Sequence, residues 1–363
     1  MAVLIFKALE NCNSNCVYCD VIKKHKTHIL GYDLLELIFT RINEYLLENT
    51  QEDFSFTWHG GEVCMLGAEY FERALYLQET ICDKTKHRIN HLVQSNITLI
   101  NQDIIDVFKK LGIDSIGSSF DPLHGIRGFG PERDSKSYMK LFFKGYDLLQ
   151  KNNLRVGIIY VVHKQSLLNP LETVQFLTNF NTSSGIQFSK AYIYHEDKHN
   201  LALSMEEYAH FLGIVFKEWY KKQSIYPAIT PFTGFINSAK SGQCSMSCTL
   251  SGKCAKNWIN ITPEGMTSQC GRTGDFELVQ LGSIKDKTFK ELFDAPFKNQ
   301  IEARRNLLLN SSCKACRFWM VCHGGCPLDA YMQHGDFMAK ADECAWIKTF
   351  LTEYFEPITG FKF

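Results

Sequence analysis

The sequence predicts an α/β fold in which an open, partial barrel is followed by a small cysteine-rich domain. Strand and helix patterns alternate over the first two thirds of the chain, and this repetition implies a parallel sheet covered by helices. The 14 cysteines are unevenly placed, with three in residues 12–19, nine in residues 244–344 and none in residues 83–243. A disulfide scaffold would not leave so long a middle stretch without cysteine.

Six strand–helix units are predicted by the period of the apolar residues. The strands are expected at residues 2–9, 53–60, 89–96, 115–121, 155–163 and 185–194. The helices are expected at residues 34–48 and near 67–84, 102–111, 138–152, 170–180 and 204–223. Six units fall short of a complete eight-fold barrel, so we expect a partial (β/α)6 barrel of the TIM type over residues 1–235.

The composition of the sequence changes beyond about residue 235. The helical period of apolar residues is lost there, and Gly, Ser and Cys dominate up to residue 274. Residues 261–270 predict a hairpin with a Glu-Gly turn, and residues 289–293 predict a short helix. We therefore expect a metal-organised domain at residues 236–350 and a C-terminal tail at residues 351–363.

The overall composition excludes several classes of partner. The 39 basic residues balance the 39 acidic ones, so nothing points to nucleic acid or to a membrane surface. No apolar run approaches the roughly 20 residues of a membrane span, and the N-terminus does not resemble a signal peptide. Clustered cysteines in a cytoplasmic chain bind metal or carry out redox chemistry more often than they form disulfides.

Polar motifs follow the first four predicted strands at the points where these strands end. They are the cysteine loop at residues 12–19, HGGE at 59–62, QSN at 94–96 and SSFD at 118–121. Reacting groups in parallel sheets lie at the carboxyl ends of the strands. The four motifs therefore predict one site at this rim.

Cys12, Cys16 and Cys19 are spaced as C-x3-C-x2-C. Three thiolates can hold three irons of a four-iron cluster and leave the fourth iron open to an outside ligand. The alternative is a zinc site completed by His25, by His28 or by a distant cysteine.

This loop, with Tyr18 before its last cysteine, resembles the radical S-adenosylmethionine (SAM) superfamily. The resemblance implies a [4Fe-4S] cluster whose open iron is chelated by SAM. It also implies that reductive cleavage of SAM gives a 5′-deoxyadenosyl radical, which removes a hydrogen atom from the substrate. An external reductant such as flavodoxin or ferredoxin would supply the electron.

The same resemblance assigns the HGGE segment to the methionine amino group of SAM. Gly60 and Gly61 would let the backbone approach the ligand, and the Glu62 carboxylate can pair with an ammonium group. The proline that usually follows this motif is Val63 here.

The remaining SAM contacts implied by the resemblance come from the third and fourth strands and from the chain that follows them. Gln94 and Asn96 stand where ribose contacts are expected, and Ser119 where the methionine carboxylate is expected. Either Arg127 or Arg133 would supply a cationic partner.

The C-terminal cysteines resemble the SPASM extension of radical SAM enzymes, which implies two auxiliary [4Fe-4S] clusters and so three clusters in all. A pair of structural zinc sites is the alternative. By the resemblance, the nearer cluster has the ligands Cys248, Cys254, Cys270 and Cys326, and the farther one Cys313, Cys316, Cys322 and Cys344. Cys244 is an alternative to Cys248.

Candidates for a catalytic group are few. Cys64 and Cys244 could exchange a hydrogen atom, whereas Cys82 is expected in the core. Anaerobic sulfatase maturases, which the chain resembles in cysteine spacing, carry a proposed aspartate base directly after the cysteine corresponding to Cys270. This chain has Gly271 there, and Asp275 is a candidate replacement.

The sequence therefore favours a monomeric enzyme that modifies a peptide or protein in an anaerobic or oxygen-protected cytoplasm. We expect a thioether or carbon–carbon crosslink, or an oxidised residue, in a ribosomally made peptide. Formylglycine formation from Cys or Ser in a sulfatase is the second interpretation, and an iron–sulfur electron carrier or a zinc-stabilised binding module belongs to another class. The first strand begins at the N-terminus, so we expect no preceding leader-binding domain and a leader that docks on the barrel or SPASM surface.

Overall fold

The computed structural model describes residues 1–19, 21, 27–180, 182, 184–194, 196–254 and 258–363. Two compact units are present, and each is built from two stretches of chain. The first unit contains Met1–Val156 and Lys256–Lys298, and the second contains Gly157–Ala255 and Asn299–Phe363. These units do not follow the sequence segments predicted above, whose boundaries at residues 235 and 350 stay predictions.

The elements are numbered in chain order. The strands are β1 Ala2–Lys7, β2 Phe54–His59, β3 Ile89–Gln94, β4 Ser115–Ser119, β5 Arg155–Val162, β6 Ile186–Lys190, β7 Ile229–Thr230, β8 Trp258–Ile261, β9 Met266–Ser268 and β10 Gln280–Ser283. The α-helices are α1 Tyr32–Glu48, α2 Gly67–Ile81, α3 Gln102–Lys110, α4 Ser135–Lys151, α5 Pro170–Thr178, α6 Met205–Lys221, α7 Phe232–Ser241, α8 Gly271–Asp275, α9 Phe289–Phe293, α10 Pro296–Leu309, α11 Trp319–Cys322, α12 Pro327–His334, α13 Glu343–Phe350 and α14 Glu356–Thr359.

The sheet of the first unit is centred on β1. Strands β1 to β4 are parallel and adjacent in chain order, as the βα repetition predicts. On the other side of β1, β8 pairs in parallel, and β9 and β10 continue the sheet in antiparallel fashion. The predicted hairpin is therefore present, but it extends the same sheet as the cysteine-loop strand.

All six residues of β1 are buried, and the last of them is a lysine. Strands of a parallel sheet with both faces covered are apolar throughout, so a charged residue at this position needs a partner. Lys7 stands opposite His59 in the register of β1 with β2. Both residues lie at the rim where the predicted site begins.

The second unit contains most of β5, which pairs in parallel with β6, together with β6, β7 and an aromatic cluster. Its rings include Phe216, Phe232, Phe235, Phe350 and Phe355, with several ring centroids between 5.1 and 6.1 Å apart. The segment predicted as a tail continues from α13 through a π-helical turn over Leu351–Phe355 into α14. Packing of the buried Phe355 holds this segment in the unit.

The structure confirms all six predicted strand–helix units, with ends that move by a few residues. Helices α7, α8 and α10 to α14 were not predicted, because no clear amphipathic period marks them in the sequence. Helix α9 was predicted. Within the described residues, no helix has the length and hydropathy needed to cross a membrane.

A buried hydrogen-bonded chain links β2, β3 and α2. The Trp58 Nε1–H donates to Nδ1 of His91 at 3.1 Å, and His91 Nε2 lies 2.6 Å from Gln78 Oε1. Because an indole N–H only donates, Nδ1 is the acceptor and the proton of the neutral ring is on Nε2. Burial lowers the pKa of His91 to about 3.

We predict that this histidine makes the first unit acid-sensitive. An unfolded histidine titrates near 6.5, so protons bind the unfolded chain preferentially and stability is lost as the pH falls from about 6.5 towards 3. Each pH unit in this window should cost about 1.4 kcal/mol. Between pH 6.5 and 5.5, urea unfolding should show a loss about 1 kcal/mol larger in the wild-type protein than in His91→Gln, which keeps the contribution of the buried His59, and the exposed His87→Gln is the control. Equal pH dependence in the wild type and His91→Gln would contradict the assignment.

Candidate functional site at the carboxyl ends of the first four strands

The cysteine loop runs beside the chain that follows β4. The Asn15 N–H donates to the Gly128 carbonyl at 2.8 Å, and the Val17 N–H donates to the Ile126 carbonyl at 3.0 Å. These backbone hydrogen bonds flank Cys16 and set the path of the loop. The cysteine loop is thereby joined to the segment that follows the fourth motif.

The other side of the loop packs against the two glycines after β2. The Gly61 N–H donates to the Leu9 carbonyl and the Glu62 N–H to the Asn11 carbonyl, at 3.2 and 2.9 Å. A Cβ atom would lie 2.1 Å from the Leu9 oxygen at Gly60, and 1.8 Å from the Asn11 oxygen at Gly61. The glycines are therefore required by contact with the chain leading into the cysteine loop, independently of any ligand.

Glu62 is wholly buried and joins the ends of β2 and β3. Its carboxylate accepts hydrogen bonds from the Cys64 N–H at 2.9 Å, the Ser95 hydroxyl at 2.6 Å and the Asn96 N–H at 2.6 Å. Burial raises its pKa, and the three hydrogen bonds oppose that rise. In this arrangement Glu62 joins the ends of the two strands, and its pairing with the ammonium group of SAM stays a prediction.

Asn96 and Ser14 surround the first cysteine. The Asn96 amide lies 3.8 Å from the Cys12 sulfur and donates to Asn13 Oδ1 at 2.8 Å, and the Ser14 N–H donates to the same sulfur at 3.3 Å. Burial raises the pKa of Cys12 to about 12, although the Ser14 N–H opposes the rise. Binding of iron here must therefore release a proton. Asn96 contacts the cysteine loop, and its contact with the ribose of SAM stays a prediction.

The structure distinguishes the two candidate arginines. Arg127 is buried, and it donates to the Tyr18 hydroxyl at 2.9 Å and to the Tyr138 hydroxyl at 3.0 Å. Its charge lowers the pKa of Cys16, opposing the larger effect of burial, and Arg133 acts in the same direction. Arg127 is thus the residue fixed beside the aromatic position of the loop.

Gln94 and Ser119 are brought together at the ends of β3 and β4. The Gln94 amide donates to the Ser119 hydroxyl at 3.3 Å. A Cβ atom at Gly117 would lie 2.3 Å from Gln94 Oε1, so this glycine makes room for the glutamine. The two predicted SAM contacts therefore share one polar corner.

The three thiols of the loop are ligands of the type that a four-iron cluster takes, one thiolate to each of three irons. Within the described residues, no group of three or more His, Cys, Asp or Glu side chains is arranged to hold a single metal ion. The proposed zinc ligand His28 is exposed, and His25 lies outside the described residues.

Of the eight cysteines predicted to bind auxiliary clusters, Cys270 lies in the first unit and the other seven in the second. Among the latter, Cys322 is buried and hydrogen-bonded to Cys344, which lowers the pKa of Cys344 to about 6. None of the 14 cysteines forms a disulfide in the structure. Their thiol chemistry fits iron–sulfur clusters.

The loop between Cys322 and Cys326 is held in an unusual backbone conformation. His323, Gly324 and Gly325 have φ values of 49, 78 and 72°, three consecutive left-handed residues. Such a run is disfavoured for side chains other than glycine, and a Cβ at Gly324 would lie 2.4 Å from Leu308 Cδ1. His323 Nδ1 lies 2.8 Å from the Leu250 carbonyl, which fastens this loop to the turn that begins at Cys248.

The three remaining thiols differ in environment. Cys64 is buried 3.4 Å from the Ser95 hydroxyl, and burial raises its pKa well above the usual range. Cys82 is a core residue whose sulfur lies 3.5 Å from the Phe39 carbonyl, as predicted. The Cys244 sulfur lies 4.0 Å from the Leu250 carbonyl in the second unit.

Asp275 belongs to a polar cluster that the sequence analysis missed. The buried ammonium of Lys7 donates to the Gly271 carbonyl at 3.2 Å and forms an ion pair with Asp275, whose side chain is 12% exposed. His59 Nδ1 accepts the Gly60 N–H at 2.8 Å, and burial lowers the pKa of this histidine to about 4. The sequence offered one signal for this cluster, a lysine at the end of an otherwise apolar strand.

Comparisons with known proteins show which family the chain resembles. Residues 7–177 match the family model of the radical SAM superfamily. The chain is 25% identical over 352 residues to a serine-type anaerobic sulfatase-maturating enzyme of Bacteroides thetaiotaomicron, covering 90% of this chain and 82% of the relative. It is 26% identical over 342 residues to a cysteine-type anaerobic sulfatase-maturating enzyme of Clostridium perfringens, covering 90% and 88%.

Solved structures show the same fold. Native anSMEcpe with bound AdoMet and the Cp18Cys peptide superposes with a TM-score of 0.84 at 24% identity, covering 99% of this chain and 98% of that one. Streptococcus suis SuiB bound to its precursor peptide SuiA gives 0.63 at 16% identity, covering 94% and 75%. The expected fold class, a partial α/β barrel followed by a SPASM-type region, is thereby confirmed. Residues 7–177 form a radical SAM domain, and the chain is a radical SAM enzyme.

Proposed function

We propose that this radical SAM enzyme modifies one residue of a ribosomally made peptide, forming a thioether or carbon–carbon crosslink or an oxidised residue. The observation that carries the proposal is the C-x3-C-x2-C loop, held at the carboxyl end of β1 by backbone hydrogen bonds on both sides. The full-length similarity to maturases that act on peptides or proteins supports the substrate class.

Cys12, Cys16 and Cys19 would hold the cluster that binds SAM. Together, SAM and this cluster supply the radical that takes a hydrogen atom from the substrate. The chain's own contribution is a fixed loop and the buried charge of Arg127 beside Tyr18. Gln94 and Ser119 would contact SAM directly, because their side chains meet at the rim and are only partly buried.

We further propose that the eight C-terminal cysteines hold two auxiliary four-iron clusters, with the ligands that the resemblance assigns to each. These clusters would accept the electron left after hydrogen abstraction. A flavodoxin or ferredoxin in an oxygen-protected cytoplasm would supply the electron that starts each cycle.

Sulfatase maturation is the second candidate, and the 25–26% identity over 90% of the chain favours it. Gly271 stands against it, because an oxidation that yields an aldehyde requires a proton acceptor close to the target. Asp275, four residues further on, would have to serve as that acceptor.

The function is tested by supplying two substrates to the anaerobically reconstituted enzyme. One is a peptide encoded beside the gene, and the other is a sulfatase peptide with Cys or Ser at the modified position. We expect the first to lose two hydrogens without gaining an aldehyde, as read by mass spectrometry with a hydroxylamine probe. An aldehyde formed only on the sulfatase peptide would select the second candidate, and turnover of neither would favour an electron carrier.

We predict that Cys12→Ala, Cys16→Ala and Cys19→Ala together remove about four of about twelve irons per chain. The variant should form no 5′-deoxyadenosine, because the site for SAM is lost. Iron analysis and chromatography of the nucleoside measure the two effects, and Cys82→Ala, a buried thiol in the core, is the matched control. Zinc in place of iron, or nucleoside formation by the triple variant, would contradict the assignment.

We propose Asp275 as the proton acceptor, because it is the partly exposed member of the polar cluster at the rim. Asp275→Asn should lower product formation by about 10²-fold or more, the usual contribution of a positioned base. Formation of 5′-deoxyadenosine should continue, because it precedes proton transfer. The exposed Glu277→Gln is the control, and unchanged product formation in Asp275→Asn would exclude this role.

A further inference from the structure

Arg304 lies on α10 in the second unit and is only 5% exposed. Its guanidinium donates to the carbonyls of Gly324 at 2.8 Å and Gly325 at 2.9 Å. It also donates twice to the Ala339 carbonyl, at 3.1 and 2.6 Å. The side chain therefore spans the loop between Cys322 and Cys326 and ties it to the segment that precedes α13.

The acceptors of these four hydrogen bonds are neutral backbone carbonyls, so they satisfy the donors without balancing the charge of the guanidinium. An arginine stays protonated even when burial lowers its pKa, as it does here. The charged groups that oppose this lowering are the thiols of Cys254, Cys313, Cys322 and Cys326 in their ionised form. Arg304 thus carries a buried positive charge among cysteines assigned to both auxiliary clusters.

We propose that Arg304 is a positioning residue that fixes the Cys322–Cys326 loop and makes the auxiliary clusters easier to reduce. The proposal rests on the auxiliary clusters of the proposed function. Reduction adds one negative charge to a cluster, and a positive charge buried nearby stabilises the reduced form more strongly than one in water would. The hydrogen bonds that Arg304 donates to the loop between Cys322 and Cys326 would hold these two ligands in position without binding the metal directly.

The test is a redox titration of the full chain, monitored by electron paramagnetic resonance. The Cys12, Cys16 and Cys19 alanine background removes the SAM-binding cluster, so that the auxiliary clusters titrate alone. Arg304→Met should change the equilibrium constant for one-electron reduction by at least tenfold, a shift of about 59 mV to more negative potential. Arg304→Lys, which keeps the charge, should restore most of the shift.

Arg305 on the same helix is exposed and supplies the matched control. Arg305→Met removes an equal charge in water and should leave the potentials in place. Arg304→Gln keeps one hydrogen-bond donor, and it replaces the Met variant if that variant does not fold. A purely structural role would lower the iron content while leaving the potential of the remaining clusters unchanged.

Two failures can be told apart. If the alanine background holds about eight irons, but the potentials of Arg304→Met and Arg304→Gln equal those of the background, the inference about Arg304 is wrong and the proposed clusters stand. If the background holds no auxiliary iron, the cluster part of the proposed function is wrong, and the inference falls with it.

Discussion

The close backbone contact between the two glycines after β2 and the chain after β1 is the constraint on which the site depends. Neither Gly60 nor Gly61 has room for a Cβ atom, because carbonyl oxygens of Leu9 and Asn11 occupy that space. This contact fixes the chain that leads into the cysteine loop. Glu62 follows directly and extends the same constraint to the end of β3, so three strand ends are held as one rim.

Charge at this rim is arranged in buried pairs and networks. Arg127 is held by two tyrosines near Cys16, and Lys7 pairs with Asp275 at the end of β1. Burying a charge is costly unless it is paired and hydrogen-bonded, so such groups report a functional or organising role. Arg304 in the second unit is also a buried charge, and its hydrogen-bond partners are backbone carbonyls.

The period of apolar residues was enough to predict the six strand–helix units, because amphipathic helices and buried strands each place apolar residues at a characteristic spacing. The rim motifs were also predictable, since parallel strands bring their carboxyl ends together. The pairing of β8 with β1 was not, because strand order depends on contacts between residues some 250 positions apart. The hydrogen bonds that Glu62 and Asn96 make within the chain could not be predicted for the same reason. A motif gives residue types, but it does not give the partners that the fold brings to them.

The central claim is that the iron left open by Cys12, Cys16 and Cys19 binds SAM. A crystal structure of the anaerobically reconstituted enzyme with SAM tests this most directly. The account predicts three thiolate ligands from the loop and, on the fourth iron, the amino and carboxylate groups of SAM. A protein atom on that iron in the presence of SAM would contradict it.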